Sequence, residues 1–184
     1  MKAATEEMKK QWGKWMGCLY DYLPTKYKAV SERDWAVRRF VWNFKDGKQS
    51  LDAARLVARK IVEHFGIECR DIVFSCIPAS SERKNEMRYK EFSAEVCRLT
   101  GCCNAYSVIH VEGERLAVHE WKQHKSVRAC QIINFDREFF KGKQVLVFDD
   151  IVTQGHSYAN FACKLESFGA SVVGGLFLAR TINF

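Results

Sequence analysis

The residues best suited to chemistry lie together in Val145-Leu146-Val147-Phe148-Asp149-Asp150-Ile151-Val152-Thr153-Gln154-Gly155-His156-Ser157. The four apolar residues predict a buried strand. Asp149 and Asp150 stand at its carboxyl end, where open α/β sheets bind ligands. Thr153, Gly155 and Ser157 then turn the chain into a helix. Backbone N–H groups at such a turn and at the helix N-terminus suit a phosphate, with the hydroxyls of Thr153 and Ser157 as extra donors. Gly155 lets the backbone approach closely, and Gln154 and His156 complete the candidate cradle. Two adjacent carboxylates repel each other and do not suit phosphate alone. They suit a ribose phosphate, whose hydroxyls donate to the acids or whose Mg²⁺ they hold while the cradle takes the 5′-phosphate. The bland alternative is that the acids only solvate the turn or cap the helix.

Such groups need a sheet to position them, and the chain downstream of residue 70 alternates accordingly. Asp71 to Ile77 is an apolar run closed by Pro78, and Arg88 to Leu99 carries Tyr89, Phe92, Val96 and Leu99 at helical spacing. A short strand over Ala105 to Val111, a strand over Gln144 to Phe148, a helix over Ser157 to Phe168 and a strand over Ser171 to Ala179 follow. This order predicts an α/β fold with a mostly parallel sheet. Upstream, Met8, Trp12, Trp15, Leu19, Tyr22 and Leu23 read as one helical stripe ended by Pro24, and Ser50 to His64 as a second helix stopped by Gly66. Glu112 to Cys130 is charged, aperiodic and long for a plain connection.

Composition sets the outer bounds. A chain of 184 residues with 47% hydrophobic and 28% charged residues, 2 prolines and 11 glycines is globular and fits one compact domain or a domain with a small appendage. No apolar run approaches the roughly 20 residues of a membrane span, and Met1 to Lys14 lacks an apolar signal core, so the expected compartment is cytoplasmic. The eight cysteines are scattered without a C-x-x-C pair, which argues for small buried hydrophobes and against a zinc cluster. The net charge of +7 favours polyanionic partners, phosphorylated metabolites and nucleic acid alike.

The 145–157 segment resembles the ribose-phosphate signature of type I phosphoribosyltransferases. Phe40 to Lys48, Ile77-Pro78 with the basic helix start after it, and Leu178-Ala179-Arg180 are similar in order to ComF-like members. The resemblance implies a three-layer α/β fold with a mostly parallel central sheet flanked by helices. The core of this resemblance is expected over residues 37–184, preceded by a helical appendage over residues 1–36. The chain departs from the pattern in three ways. It lacks the paired-cysteine zinc ribbon, it has Arg88-Tyr89-Lys90-Glu91-Phe92 where an Arg-Gly-Phe-Asn-Gln type of segment is usual, and it has Gln154 where a small residue is usual. Thr153 occupies a position that is Asp in 6-oxopurine enzymes, which leaves the base unidentified.

The function implied is binding of 5-phosphoribosyl diphosphate (PRPP), with Mg²⁺, or of a nucleotide 5′-phosphate, and transfer of the phosphoribosyl group to a base with release of pyrophosphate. The alternative is a catalytically silent regulatory module acting on nucleic acid or a protein partner. Pyrophosphate is assigned to Ala79, Ser80 and Ser81 with Arg83, Lys84 and Arg88. Stabilisation of the departing charge is assigned to Lys122, His124 and Lys125 in a mobile lid that also carries His119 and Arg128. Arg33, Arg38, Arg39, Lys45 and Lys48 around Trp42 form the one stretch suggestive of a nucleic-acid face. Trp12 and Trp15 read as packing or a homodimer contact. Replacing both acids, Asp149→Asn with Asp150→Asn, is expected to abolish ribose-phosphate binding in a titration while leaving the fold intact.

Overall fold

Strand positions that alternate between two apolar faces need a layer of helices on each side, and that is the architecture found. A computed structural model describes residues 5–113 and 132–182. In chain order the elements are α1 (Glu6–Trp12), β1 (Trp15–Tyr22), α2 (Glu32–Lys45), α3 (Ser50–Phe65), β2 (Ile72–Cys76), α4 (Glu82–Asn85), α5 (Glu91–Thr100) and β3 (Cys103–Asn104). Then come β4 (Ile109–Glu112), β5 (Ile132–Phe135), α6 (Arg137–Phe140), β6 (Gln144–Val152), α7 (His156–Glu166) and β7 (Ser171–Thr181). A π-helical turn, Glu86–Lys90, joins α4 to α5. The main sheet is parallel, in the order β1-β7-β6-β2-β3, and β4 and β5 form a separate antiparallel pair.

The pleat sorts the core into two halves. Ile72, Phe74, Leu146, Phe148, Leu176 and Leu178 face α3, α5 and the end of α2. Phe44, Phe92 and Phe148 pack there with centroids 4.9 and 4.7 Å apart in tilted or edge geometry, the arrangement that ring quadrupoles favour. Ala53, Ala54, Val57, Ala58 and Ile61 form the buried side of α3, and the alanines let that helix lie close to the layer. On the opposite face Val73, Val145, Val147, Val172 and Phe177 meet Tyr158, Phe161, Ala162 and Leu165 of α7. β6 is buried on both faces at Val145 through Phe148, so its carboxyl end is a fixed point of the molecule.

Two sequence expectations are corrected. The stripe from Met8 to Leu23 is not one helix, because α1 ends at Trp12 and Trp15–Tyr22 is the edge strand beside β7. The same residues also alternate with period two: Trp15 and Leu19 pack on one core half, Met16 and Cys18 on the other. The open edge of β7 selected that reading, a tertiary override of local pattern. The segment Ala105 to Val111 is likewise not a strand of the main sheet. Residues 106–108 form a 3₁₀ turn, and β4 pairs with β5, which the sequence reading had not assigned. The seven described cysteines are free thiols; Cys69 and Cys102 are buried and Cys103 is exposed.

The β1–β7 pairing depends on a missing side chain. A Cβ at Gly174 would lie 2.5 Å from the Trp15 carbonyl oxygen, a backbone atom that cannot yield without breaking the pair. Gly174→Ala is therefore expected to cost about 2 kcal/mol, a fall of roughly 4–8 °C in Tm by thermal denaturation.

Candidate functional site

The carboxyl end of β6 carries the two acids on opposite faces, as period two demands. Asp149 follows the parity of Val145 and Val147 and is half-buried on the α7 side, whereas Asp150 follows Phe148 and is 6% exposed on the α2 and α5 side. Beyond them the chain turns through Thr153 and Gln154, both exposed, to Gly155, whose φ of +72° is the left-handed conformation that glycine adopts without a Cβ penalty. Gly155 opens α7 with no side-chain cap. The first-turn N–H groups of a helix lack intrahelical acceptors, so they point outward with the positive end of the dipole. A cleft of about 90 Å³ lies against this turn, lined by Asp149, residues 151–158 and Phe177. The structure thus brings together Asp149, Thr153, Gln154, Gly155, His156 and Ser157, and leaves Asp150 out of the cleft.

Asp150 is an ion-pair centre instead. Its Oδ2 accepts from Arg88 Nη1 at 2.7 Å, and its Oδ1 lies 3.4 Å from Lys45 Nζ. Arg88 also donates through Nε and Nη2 to the Lys45 carbonyl at 3.3 Å. Asp149 Oδ1 accepts from the Asp150 backbone N–H at 2.9 Å. Burial, and then the charge of Asp150, push the Asp149 carboxyl up to about 8, against the opposing pull of that N–H bond, Lys45 and Arg88. Cys76, at the end of β2, has its thiol pushed up by burial, so it is not a thiolate nucleophile at neutral pH.

These contacts revise several expected roles. Arg88 turns inward to Asp150 and does not join Arg83 and Lys84, which are exposed on α4. The Ala79 N–H donates to Asn85 Oδ1 at 3.0 Å, so it is not offered to an anion, and Ser81 caps α4 by accepting from Lys84 N. Ser80 and Ser81 stay partly accessible. The basic patch is not a single face: Arg38 is 1% exposed and donates to the carbonyls of Leu23, Pro24 and Tyr27, and Lys45 reaches Asp150. Because Asp150 is buried and paired, replacing both acids is expected to lower stability as well as binding. Lys122, His124 and Lys125, with His119 and Arg128, lie outside the described residues.

Trp12 is a site neighbour that the sequence reading assigned to packing or a dimer contact. Its Nε1 donates to the Gly155 carbonyl at 3.1 Å and its ring meets His156 edge-on at 5.5 Å. Gln11 and Lys14 donate to Glu166 at the other end of α7, which lays α1 along that helix. No residue spacing announces this contact, because it joins positions 143 apart in the chain.

No protein-family model matches the chain, and no curated protein matches it. Among solved structures it is similar to a phosphoribosylpyrophosphate synthetase from Mycobacterium smegmatis, at 16% identity and a TM-score of 0.40 over 70% of this chain and 33% of that one. A hypoxanthine-guanine phosphoribosyltransferase from Bacillus anthracis matches at 15% identity and a TM-score of 0.39, over 75% of this chain and 73% of that one. A purine phosphoribosyltransferase from Pyrococcus horikoshii matches at 15% identity and 0.39, over 72% and 86%. The chain spans a third of the synthetase's length.

The raised Asp149 carboxyl has a stability consequence. The folded protein keeps a proton there that the unfolded chain releases above a pKa of 3.8, so stability present below that value is lost as pH rises toward about 8. Asp149→Asn, which mimics the protonated form, is expected to melt above wild type by a gap that widens from pH 4 to pH 8, read from Tm across that range.

Proposed function

We propose that the protein binds a 5-phosphoribosyl ligand, PRPP or a nucleotide 5′-phosphate, at the β6–α7 turn. The observation that carries this reading is a desolvated carboxyl, Asp149, beside a small cleft at an uncapped helix N-terminus opened by a left-handed glycine. A carboxyl group costs stability in such a place, and groups retained at that cost cluster at binding and catalytic sites. The turn at 153–157 takes the 5′-phosphate through backbone N–H groups and the Thr153 and Ser157 hydroxyls. The acid end of β6 takes the ribose hydroxyls. Ser80, Ser81, Arg83 and Lys84, beyond the end of β2, take the pyrophosphate.

The reaction proposed is displacement at the anomeric carbon. The bond from that carbon to the pyrophosphate oxygen breaks with its electron pair leaving on pyrophosphate, a bond to a base nitrogen forms, and the nitrogen's proton is released. Lys122, His124 and Lys125 are proposed to balance charge on the departing group. Among the described residues no three His, Cys, Asp or Glu side chains converge on one point. A Mg²⁺ therefore fits as a guest of the diphosphate, with Asp149 as the chain's own donor and ligand oxygens and water completing its shell. When bound it supplies neutralisation of pyrophosphate charge.

A second reading, a sensor that binds the ligand without turnover, is favoured by the exposed Gln154 in the cradle and by Trp12 on the Gly155 carbonyl. No helix among the described residues is long and apolar enough to cross a membrane. Kinship with ComF-like proteins, a cytoplasmic setting, a homodimer and a nucleic-acid partner belong to this proposal as well. Calorimetric titration with PRPP, with and without Mg²⁺, followed by a pyrophosphate-release assay over a panel of free bases, separates the readings. Saturable binding is expected. Turnover with one base identifies a transferase, binding without turnover identifies the sensor, and no binding overturns both.

A further inference from the structure

The two acids at the end of β6 occupy different environments. Both oxygens of Asp150 meet cations drawn from different elements, Arg88 from the π turn and Lys45 from the last residue of α2. Arg88 closes the triangle by donating twice to the Lys45 carbonyl, one of the α2 C-terminal carbonyls that lack an intrahelical partner. Asp150 is 6% exposed and does not line the cleft. Asp149 does line it, and only its Oδ1 is engaged among the described residues, by the Asp150 N–H. Since neighbouring strand residues face opposite sides of a sheet, no small adjustment brings both carboxylates to one ligand.

We propose that the acids divide the work: Asp149 alone receives the ribose hydroxyls, while Asp150 is an internal anchor and Arg88 and Lys45 are positioning residues that fix and neutralise its carboxylate behind the site. The part played by Asp149 rests on the ribose-phosphate reading above; the anchor rests on the contacts alone. The assignment changes the expected role of three residues. Asp150 leaves the ligand, Arg88 leaves the pyrophosphate site, and Lys45 leaves the nucleic-acid face. With Arg88 removed, Asp150 keeps a single cation, and its less compensated negative charge, one residue from Asp149, repels an incoming phosphate through space without touching it.

Affinity for ribose 5-phosphate and for PRPP with Mg²⁺, measured by calorimetry, and Tm test this in five variants. Asp149→Asn is expected to weaken binding by about tenfold or more without lowering Tm, because an amide replaces one of the two carboxyl oxygens that receive the ribose hydroxyls. Asp150→Asn is expected to lower Tm by several degrees and, assayed well below its midpoint, to stay within about threefold of wild-type affinity, less than one such bond. Arg88→Met is expected to lower Tm and weaken binding by about tenfold. Arg88→Lys, which keeps the charge, restores affinity, and so does Asp150→Asn added to Arg88→Met, because the uncompensated negative charge is gone. A purely structural Arg88 would show neither rescue. The division of labour is overturned if Asp150→Asn loses as much affinity as Asp149→Asn at unchanged Tm, or if Arg88→Met changes neither quantity. Should Asp150→Asn fail to fold, the comparison of Arg88→Met with Arg88→Lys decides. Wild-type protein that binds neither ligand overturns the ribose-phosphate reading and the role of Asp149. The anchor is overturned separately by strictly additive Tm losses at Asp150 and Arg88.

Discussion

The carboxylate of Asp150 lies inside the protein with a guanidinium and an ammonium against it, and much of the molecule is arranged around that meeting. A buried carboxylate without partners is costly, whereas one held by two cations and further hydrogen bonds is tolerated. The partners come from the end of α2 and from the π turn before α5, so the pair ties two helical elements to the carboxyl end of the central strand. π turns recur at functional sites, and here the turn carries the arginine. Directly beneath, Phe44, Phe92 and Phe148 pack ring against ring, so the ion pair rests on a rigid apolar floor.

One residue earlier the conditions are reversed. Asp149 has no cation within pairing distance among the described residues, and the negative charge of Asp150 stands behind it. Its burial costs stability, yet it borders the cleft at the uncapped start of α7. A dipeptide of two identical residues thus yields one buried, ion-paired carboxylate and one that borders the cleft, and the pleat of the strand is the physical cause.

The amino-terminal segment belongs to the same site. Strand β1 closes one edge of the sheet, and α1 before it lies along α7 with Trp12 against the Gly155 carbonyl. A Cβ on Gly155 would come within 2.8 Å of the Trp12 Nε1, so the glycine serves the turn's left-handed conformation and the indole's approach together. The turn at 153–157 is therefore braced from outside by a segment far away in sequence.

The alternation of apolar runs with helical periodicity was sufficient for the α/β class, the parallel sheet and the positions of β2, α3, β6, α7 and β7, since each has a strong period or a clear Gly or Pro stop. The Asp-Asp pair and the Gly-containing turn were legible for the same local reason, but the strand does not stop at Phe148: it runs on past both acids to Val152, paired with β7 as far as Arg180. Residues 15–22 were not, because their pattern satisfies both helix and strand, and only the free edge of β7 decides between them. Nor could sequence tell that Arg88 and Lys45, 43 positions apart, converge on Asp150, or that Trp12 reaches Gly155. Local sequence determines which residues stand at the end of a strand. Which of them is paired and which is left facing a cleft depends on long-range packing, because charge pairing is settled by what the folded chain brings within a few ångströms.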